Sequence, residues 1–242
     1  MHIFRKKKTR SCCNVLLNTK LPFVYTEAYK SLRTNIEFLS TADNAKKIFV
    51  TSALSGEGKT CFSINLAISL AQTGKKVIVV DCDLRKPKLQ KYLRVKHTAQ
   101  YGVSTVLGGA IELDSAIGYI ESLNIYVLLA GIIPPNPSEL LSSERSKAMF
   151  EKLSENFDYI ICDTPPATVV TDAVSLSKNC DGAILVIRQN YATKPQIREV
   201  INKLETVGTK IFGAVLNNYN EHYDVLNYGS NKNGYYDCDK IL

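Results

Sequence analysis

The stretch KIFVTSALSGEGKT, residues 47–60, narrows the choice of fold more than any other part of this chain. A β-branched apolar segment leads through a glycine-rich loop into the start of a helical pattern. Strand, loop and helix in that order are the context in which such a loop binds phosphate. Gly56 and Gly58 let consecutive backbone N–H groups turn inward toward an anion. The helix N-terminus adds about half a positive charge. Lys59 is placed to reach a β- or γ-phosphate, and Thr60 to offer its hydroxyl to Mg2+. Ser55, Gly56, Glu57, Gly58, Lys59, Thr60 and Cys61 are therefore candidate nucleotide contacts. Ala53 stands where such loops usually begin with glycine, and a plain strand–helix turn is the alternative reading.

The rest of the pattern agrees with the loop. KIFVTSA, VIVVD, IYVLLAG, YIICD, GAILVI and IFGAVLN are apolar without alternation, as strands buried on both faces of a parallel sheet are. Helical periodicity lies between them, over 59–73 (with Gly74 at its C-terminal end), 138–155 and 195–207 (followed by Gly208). Repeated βα units predict an α/β fold with a doubly wound, mostly parallel sheet and right-handed crossovers. With 242 residues and 45% hydrophobic content, one such domain needs no disulfide staples. The seven cysteines show no metal-binding spacing and read as small, reduced core residues. We expect a basic flexible leader over 1–25, one globular domain over 26–218 and a disordered, tyrosine-rich tail over 219–242.

Two more strand ends carry acid. VIVVDCDLR places Asp81, Asp83 and Arg85 after one strand, and YIICDTPP places Asp163 after another. Open α/β sheets bind ligands at the carboxyl ends of their strands. Three carboxylates near a phosphate loop call for a divalent cation, with Thr60, Asp83 and Asp163 as the metal-facing groups. Asn217 ends the last strand near where a base would lie.

With these residues in view, the chain resembles the bacterial tyrosine kinases of capsular and exopolysaccharide synthesis, in their stand-alone Gram-positive form. SALSGEGKT is similar to the family's Walker A motif, VIVVDCDLR to its Walker A′ and YIICDTPP to its Walker B. LLAGIIPPNPSELL, residues 128–141, is similar to a further stretch typical of these kinases. The resemblance implies a P-loop NTPase of the deviant-Walker, partitioning-ATPase-like branch. It implies ATP and Mg2+ as cofactors, and Lys59, Asp81, Asp83 and Asp163 as catalytic groups, with Asp81 meeting the incoming phenol. EAYKSLRTNIEF reads as an amphipathic helix with an apolar stripe of Ala28, Leu32, Ile36 and Leu39. By resemblance its Glu27, Lys30 and Arg33 contact a neighbouring copy in a ring, an octamer in this family, with Lys30 where the family has arginine.

The family also ends in a tyrosine cluster that is the substrate. Here Tyr219, Tyr223, Tyr228, Tyr235 and Tyr236 lie within 219–242, and the last four are the expected acceptors. Coil statistics put Tyr236 about 25 Å from residue 218, so phosphorylation in trans is within reach. The implied partners are a membrane adaptor of the polysaccharide co-polymerase type and a cognate tyrosine phosphatase, with no nucleic acid. The expected location is the cytoplasm, at the inner face of the membrane through the adaptor. The basic run 5–10 reads as a solvated leader or as a contact for anionic lipid. Two rival readings are a partitioning ATPase, in which Leu54 would be lysine, and a non-catalytic ATP-dependent scaffold for polysaccharide assembly.

Overall fold

The computed structural model describes residues 2–4, 23–43, 45–95, 100–168 and 172–219. Eight strands and nine helices are found among them. In chain order they are β1 (His2–Phe4), α1 (Phe23–Asp43), β2 (Lys47–Thr51), α2 (Lys59–Ala71) and β3 (Val77–Asp81). Then come α3 (Leu89–Leu93), α4 (Val103–Leu107), α5 (Leu113–Ala116), β4 (Ile117–Ile120) and β5 (Ile125–Leu128). The chain closes with α6 (Pro137–Leu141), α7 (Glu144–Asn156), β6 (Tyr159–Asp163), α8 (Asp172–Ser177), β7 (Gly182–Arg188), α9 (Lys194–Thr206) and β8 (Ile211–Asn217).

The sheet order is β1-β4-β5-β3-β6-β2-β7-β8, parallel throughout except for the antiparallel β4–β5 pair. This is the expected α/β architecture. Every residue of β3 and β6 is buried, which is why those strands read as unbroken apolar runs. Two cores result, one on each face of the sheet. On one, Ile64 and Leu66 of α2 pack with Ile48, Val79 and Ile161. On the other, Phe150 and Leu153 of α7 pack with Phe49, Val80 and Ile160. Each such aliphatic side chain contributes about 1.5–3 kcal/mol on burial. The topology sets β3, β6 and β2 side by side, with Val50 opposite Asp163 and Asp81 opposite Asp163. All three motif-bearing strand ends therefore share one edge of the sheet.

Several expectations change in detail. The helix predicted over 138–155 is two helices. Ser143 is extended (φ −72°, ψ 157°), and its hydroxyl accepts the Ser146 N–H at 3.2 Å as the N-cap of α7. The helix predicted to 73 ends at Ala71, and Gly74 (φ +82°) supplies the left-handed turn after it. β4, β1 and the short helices were not predicted. α1 opens at Phe23, inside the stretch read as leader, as does β1. Its seating also differs: Ala28 is exposed, and the face against α2 is made by Tyr25, Tyr29, Leu32 and Ile36. Cys82 and Cys162 are buried, as small core residues should be, while Cys61 and Cys180 are half-buried. Residues 5–22 and 220–242, with the basic run and the four expected acceptor tyrosines, lie outside the described residues.

Candidate active site

The loop from Ser52 to Gly58 is held from below by its own side chains. Lys59 is 8% exposed, and its Nζ donates to Ser52 Oγ at 2.8 Å. The Ser52 hydroxyl in turn donates to the Leu54 carbonyl at 2.7 Å. Burial lowers the pKa of Lys59, opposed by the charges of Asp163, Asp83 and Glu57. Gly56 (φ +90°) and Gly58 (φ +99°) adopt the left-handed backbone that the inward turn requires. A Cβ on Gly58 would collide with Asn217 Nδ2.

Glu57 was expected to be a nucleotide contact, and its side chain does something else. It is fully buried; Leu54 N–H donates to Oε2 at 2.6 Å and Arg188 N–H donates to Oε1 at 3.2 Å. The carboxylate thus ties the loop to the end of β7, and only its backbone is left for phosphate. Three further residues brace the loop. Asn217 Nδ2 donates to the Glu57 carbonyl at 2.6 Å. The Tyr191 hydroxyl donates to the Ser55 carbonyl at 2.9 Å, and the Arg188 guanidinium stacks on the Tyr191 ring. Thr168 Oγ1 donates to the Ala53 carbonyl. Ser52, Thr168, Arg188 and Tyr191 went unnoticed in the sequence, since their partners lie far off or carry no motif.

Thr60 lies beside Asp163, whose Oδ1 is buried with no partner. Burial pushes this carboxyl up to about 7, against the lowering effect of Thr60 and Lys59. An orphaned oxygen beside a hydroxyl and a phosphate loop fits a divalent cation. Asp81 differs, because both its oxygens are already engaged. Asp83 N–H donates to Oδ1 at 3.2 Å and Leu89 N–H donates to Oδ2 at 3.1 Å. Burial raises its pKa well above the usual range, with Asp163 adding to the rise. Asp83 is half-buried and accepts the Lys86 N–H at 3.0 Å. Among the described residues no three acidic, imidazole or thiol side chains converge into a metal cage. Mg2+ does not need one, because it keeps water and phosphate oxygens as ligands.

Lys59, Thr60 and Asp163 are thus brought together, with Asp81 and Asp83 on the neighbouring strand end. Cys61 lies in the first turn of α2, its sulfur 3.5 Å from Asn65 Nδ2. Arg85, also expected to contact the nucleotide, donates to Ser138 Oγ at 3.3 Å. Glu27 and Lys30 pair with each other at 2.7 Å on α1, outside the site. Arg33 donates to the Ser69 carbonyl of α2 at 2.9 Å.

The model of the AAA domain family matches residues 45–217, from β2 to the end of β8. The tyrosine-protein kinase YwqD of Bacillus subtilis is 35% identical over 235 residues, covering 96% of this chain and 98% of that protein. Among solved structures, the chimerical protein CapA2B2 superposes with a TM-score of 0.78 at 32% identity, over 84% of this chain and 87% of that one. The kinase domain of the Escherichia coli tyrosine kinase ETK gives 0.77 at 30% identity, over 86% and 84%.

Proposed function

Because this chain belongs to the bacterial tyrosine-protein kinases, we propose that it moves the γ-phosphoryl group of ATP onto Tyr223, Tyr228, Tyr235 and Tyr236 of a second copy. The observation that carries this reading is a buried P-loop lysine that feels the charge of Asp163, whose own Oδ1 is buried without a partner. Lys59 and the loop N–H groups, from Ser55 to Cys61, hold the β- and γ-phosphates. Thr60, Asp163 and Asp83 would hold Mg2+, directly or through water. When bound, the cation would supply charge neutralisation for the phosphates and the leaving ADP oxygen. Asp81 orients the incoming phenol, whose oxygen takes the phosphoryl group as the bond to ADP breaks. The phenol proton leaves late, with the loose transition state, and passes to the Asp81 carboxylate, whose burial raises its basicity. Asn217 lies beside the base.

The same reading extends to assembly. Glu27 and Lys30 are at the surface of α1 and form the neighbour contact in a ring of copies, an octamer. Arg33 supports it from behind by fastening α1 to α2. A membrane adaptor of the polysaccharide co-polymerase type activates the ring at the inner face of the membrane, and a tyrosine phosphatase resets it. Consistent with a separate adaptor, no helix among the described residues is long and apolar enough to cross a membrane. Capsular or exopolysaccharide synthesis and export is the process regulated.

The test is phosphotyrosine mapping after incubation with labelled ATP and an activating adaptor fragment. Label is expected in 219–242, and none in Lys59→Met or in a chain lacking 219–242. ATP consumption with every tail tyrosine unmodified would overturn the reading.

A further inference from the structure

After Asp83 the chain makes a tight excursion, Leu84 to Lys88, before entering α3. Hydrogen bonds to the two aspartates fix its path: Lys86 N–H on Asp83 Oδ1 at 3.0 Å, and Leu89 N–H on Asp81 Oδ2 at 3.1 Å. Leu89 and Leu93 are buried beneath, which settles α3 against the domain. Lys86, Lys88 and Lys91 are exposed on this pinned segment. None makes an ion pair or side-chain hydrogen bond among the described residues. The charge of Lys88 is felt in the site itself, where it lowers the pKa of both Lys59 and Asp163. Three cations that make no ion pair are thus carried on a segment fixed by bonds to Asp81 and Asp83.

The expected acceptor segment has the opposite sign. Residues 219–242 contain Glu221, Asp224, Asp237 and Asp239 against Lys232 and Lys240. The acids sit beside tyrosines: Glu221 two residues before Tyr223, Asp224 directly after it, and Asp237 directly after Tyr236. We infer that Lys86, Lys88 and Lys91 form a cationic strip that selects acid-flanked tyrosines, its ligand being the 219–242 segment of a second copy. This inference rests on the proposed kinase reading for its ligand, and it names what makes one tyrosine a better acceptor than another. A phosphorylated tyrosine adds about −1.5 to −2 charge, so a modified tail binds the strip more tightly than an unmodified one.

Binding tests the inference without any phosphoryl transfer. The probe is a fluorescein-labelled peptide of residues 219–242 with all five tyrosines changed to phenylalanine, titrated with the full chain. A second probe, otherwise identical, has its acids converted to amides by the substitutions Glu221→Gln, Asp224→Asn, Asp237→Asn and Asp239→Asn. The acidic probe should bind about tenfold more tightly than the amide probe at low salt, and the preference should shrink at high salt. The triple variant Lys86→Gln, Lys88→Gln, Lys91→Gln should lose that preference while its affinity for Mg-ADP stays within about twofold. Equal binding of the two probes by the natural chain overturns the inference. So does a triple variant that keeps the preference, or one that loses ADP and probe together, since the lysines would then serve the nucleotide. Tail phosphorylation could still occur in each of those cases, which separates this failure from failure of the kinase reading.

Discussion

Asp163 is buried beside Thr60, with its Oδ1 left without a partner. That burial has a measurable pH signature. In an unfolded chain an aspartate titrates near 3.9; burial moves this one to about 7. A group whose folded pKa is raised contributes stability below its unfolded value and loses it as pH rises through the folded value. The nucleotide-free protein should therefore melt at a higher temperature at pH 5 than at pH 8. Asp163→Asn should flatten that slope, leaving the part due to Asp81, which burial shifts the same way. Thermal unfolding across the pH range checks this, and an unchanged slope in the variant would contradict it. At this scale Lys59, Thr60 and Asp163 were legible because each role is encoded by spacing from a strand end or a glycine. The braces were not, because Tyr191 finds Ser55 across 136 positions and Arg188 finds Glu57 across 131. Glu57 looked like a phosphate neighbour for the same reason. Its place in the loop is local information, but the direction of its carboxylate is decided by β7.

Among the elements, the phosphate loop is the one whose shape depends most on a single side chain. Removing the Glu57 carboxylate leaves the N–H groups of Leu54 and Arg188 without their acceptor. Glu57→Ala should cost about 3 kcal/mol, a fall of roughly 6–12 °C in melting temperature. Saturating Mg-nucleotide should recover part of it, because loop and phosphate order each other. Calorimetry with and without nucleotide measures both numbers, and a variant as stable as the parent would contradict the latch. Strands buried on both faces announced themselves by unbroken apolar runs, as β3 and β6 show. β4 did not, because IGYI is short, contains glycine, and is joined to β5 by a turn with Asn124 at φ +53° rather than by a recognisable hairpin dipeptide. The break before α7 was hidden by periodicity that continues across it. Only the capping hydroxyl of Ser143 marks the restart. In α1 the periodicity was right and the face was wrong, since the Tyr25 and Tyr29 phenols reach Asn65 at 2.9 and 3.4 Å and take the place expected for Ala28.

At the scale of the whole molecule, the order β3-β6-β2 gathers three sequence motifs at one rim, and that gathering is the part of the design most fully written in the sequence. Assembly was readable only as a resemblance, and the structure adds that Arg33 Nη1 donates to the Ser69 carbonyl of the same chain. A ring held by the exposed pair Glu27 and Lys30, one of them a point charge rather than a guanidinium, should be sensitive to added negative charge. Native mass spectrometry should show ring-sized species before ATP treatment and smaller ones after it, and an unchanged distribution would contradict that dependence. The last described strand gives the arrangement a mechanical side. Asn217 is both the final residue of β8 and a prop under Gly58, so the end of the last described strand is pegged to the phosphate loop of the same chain. On the proposed kinase reading, a neighbour that grips the chain beyond Asn217 would pull on the loop that cradles the donor's own phosphates.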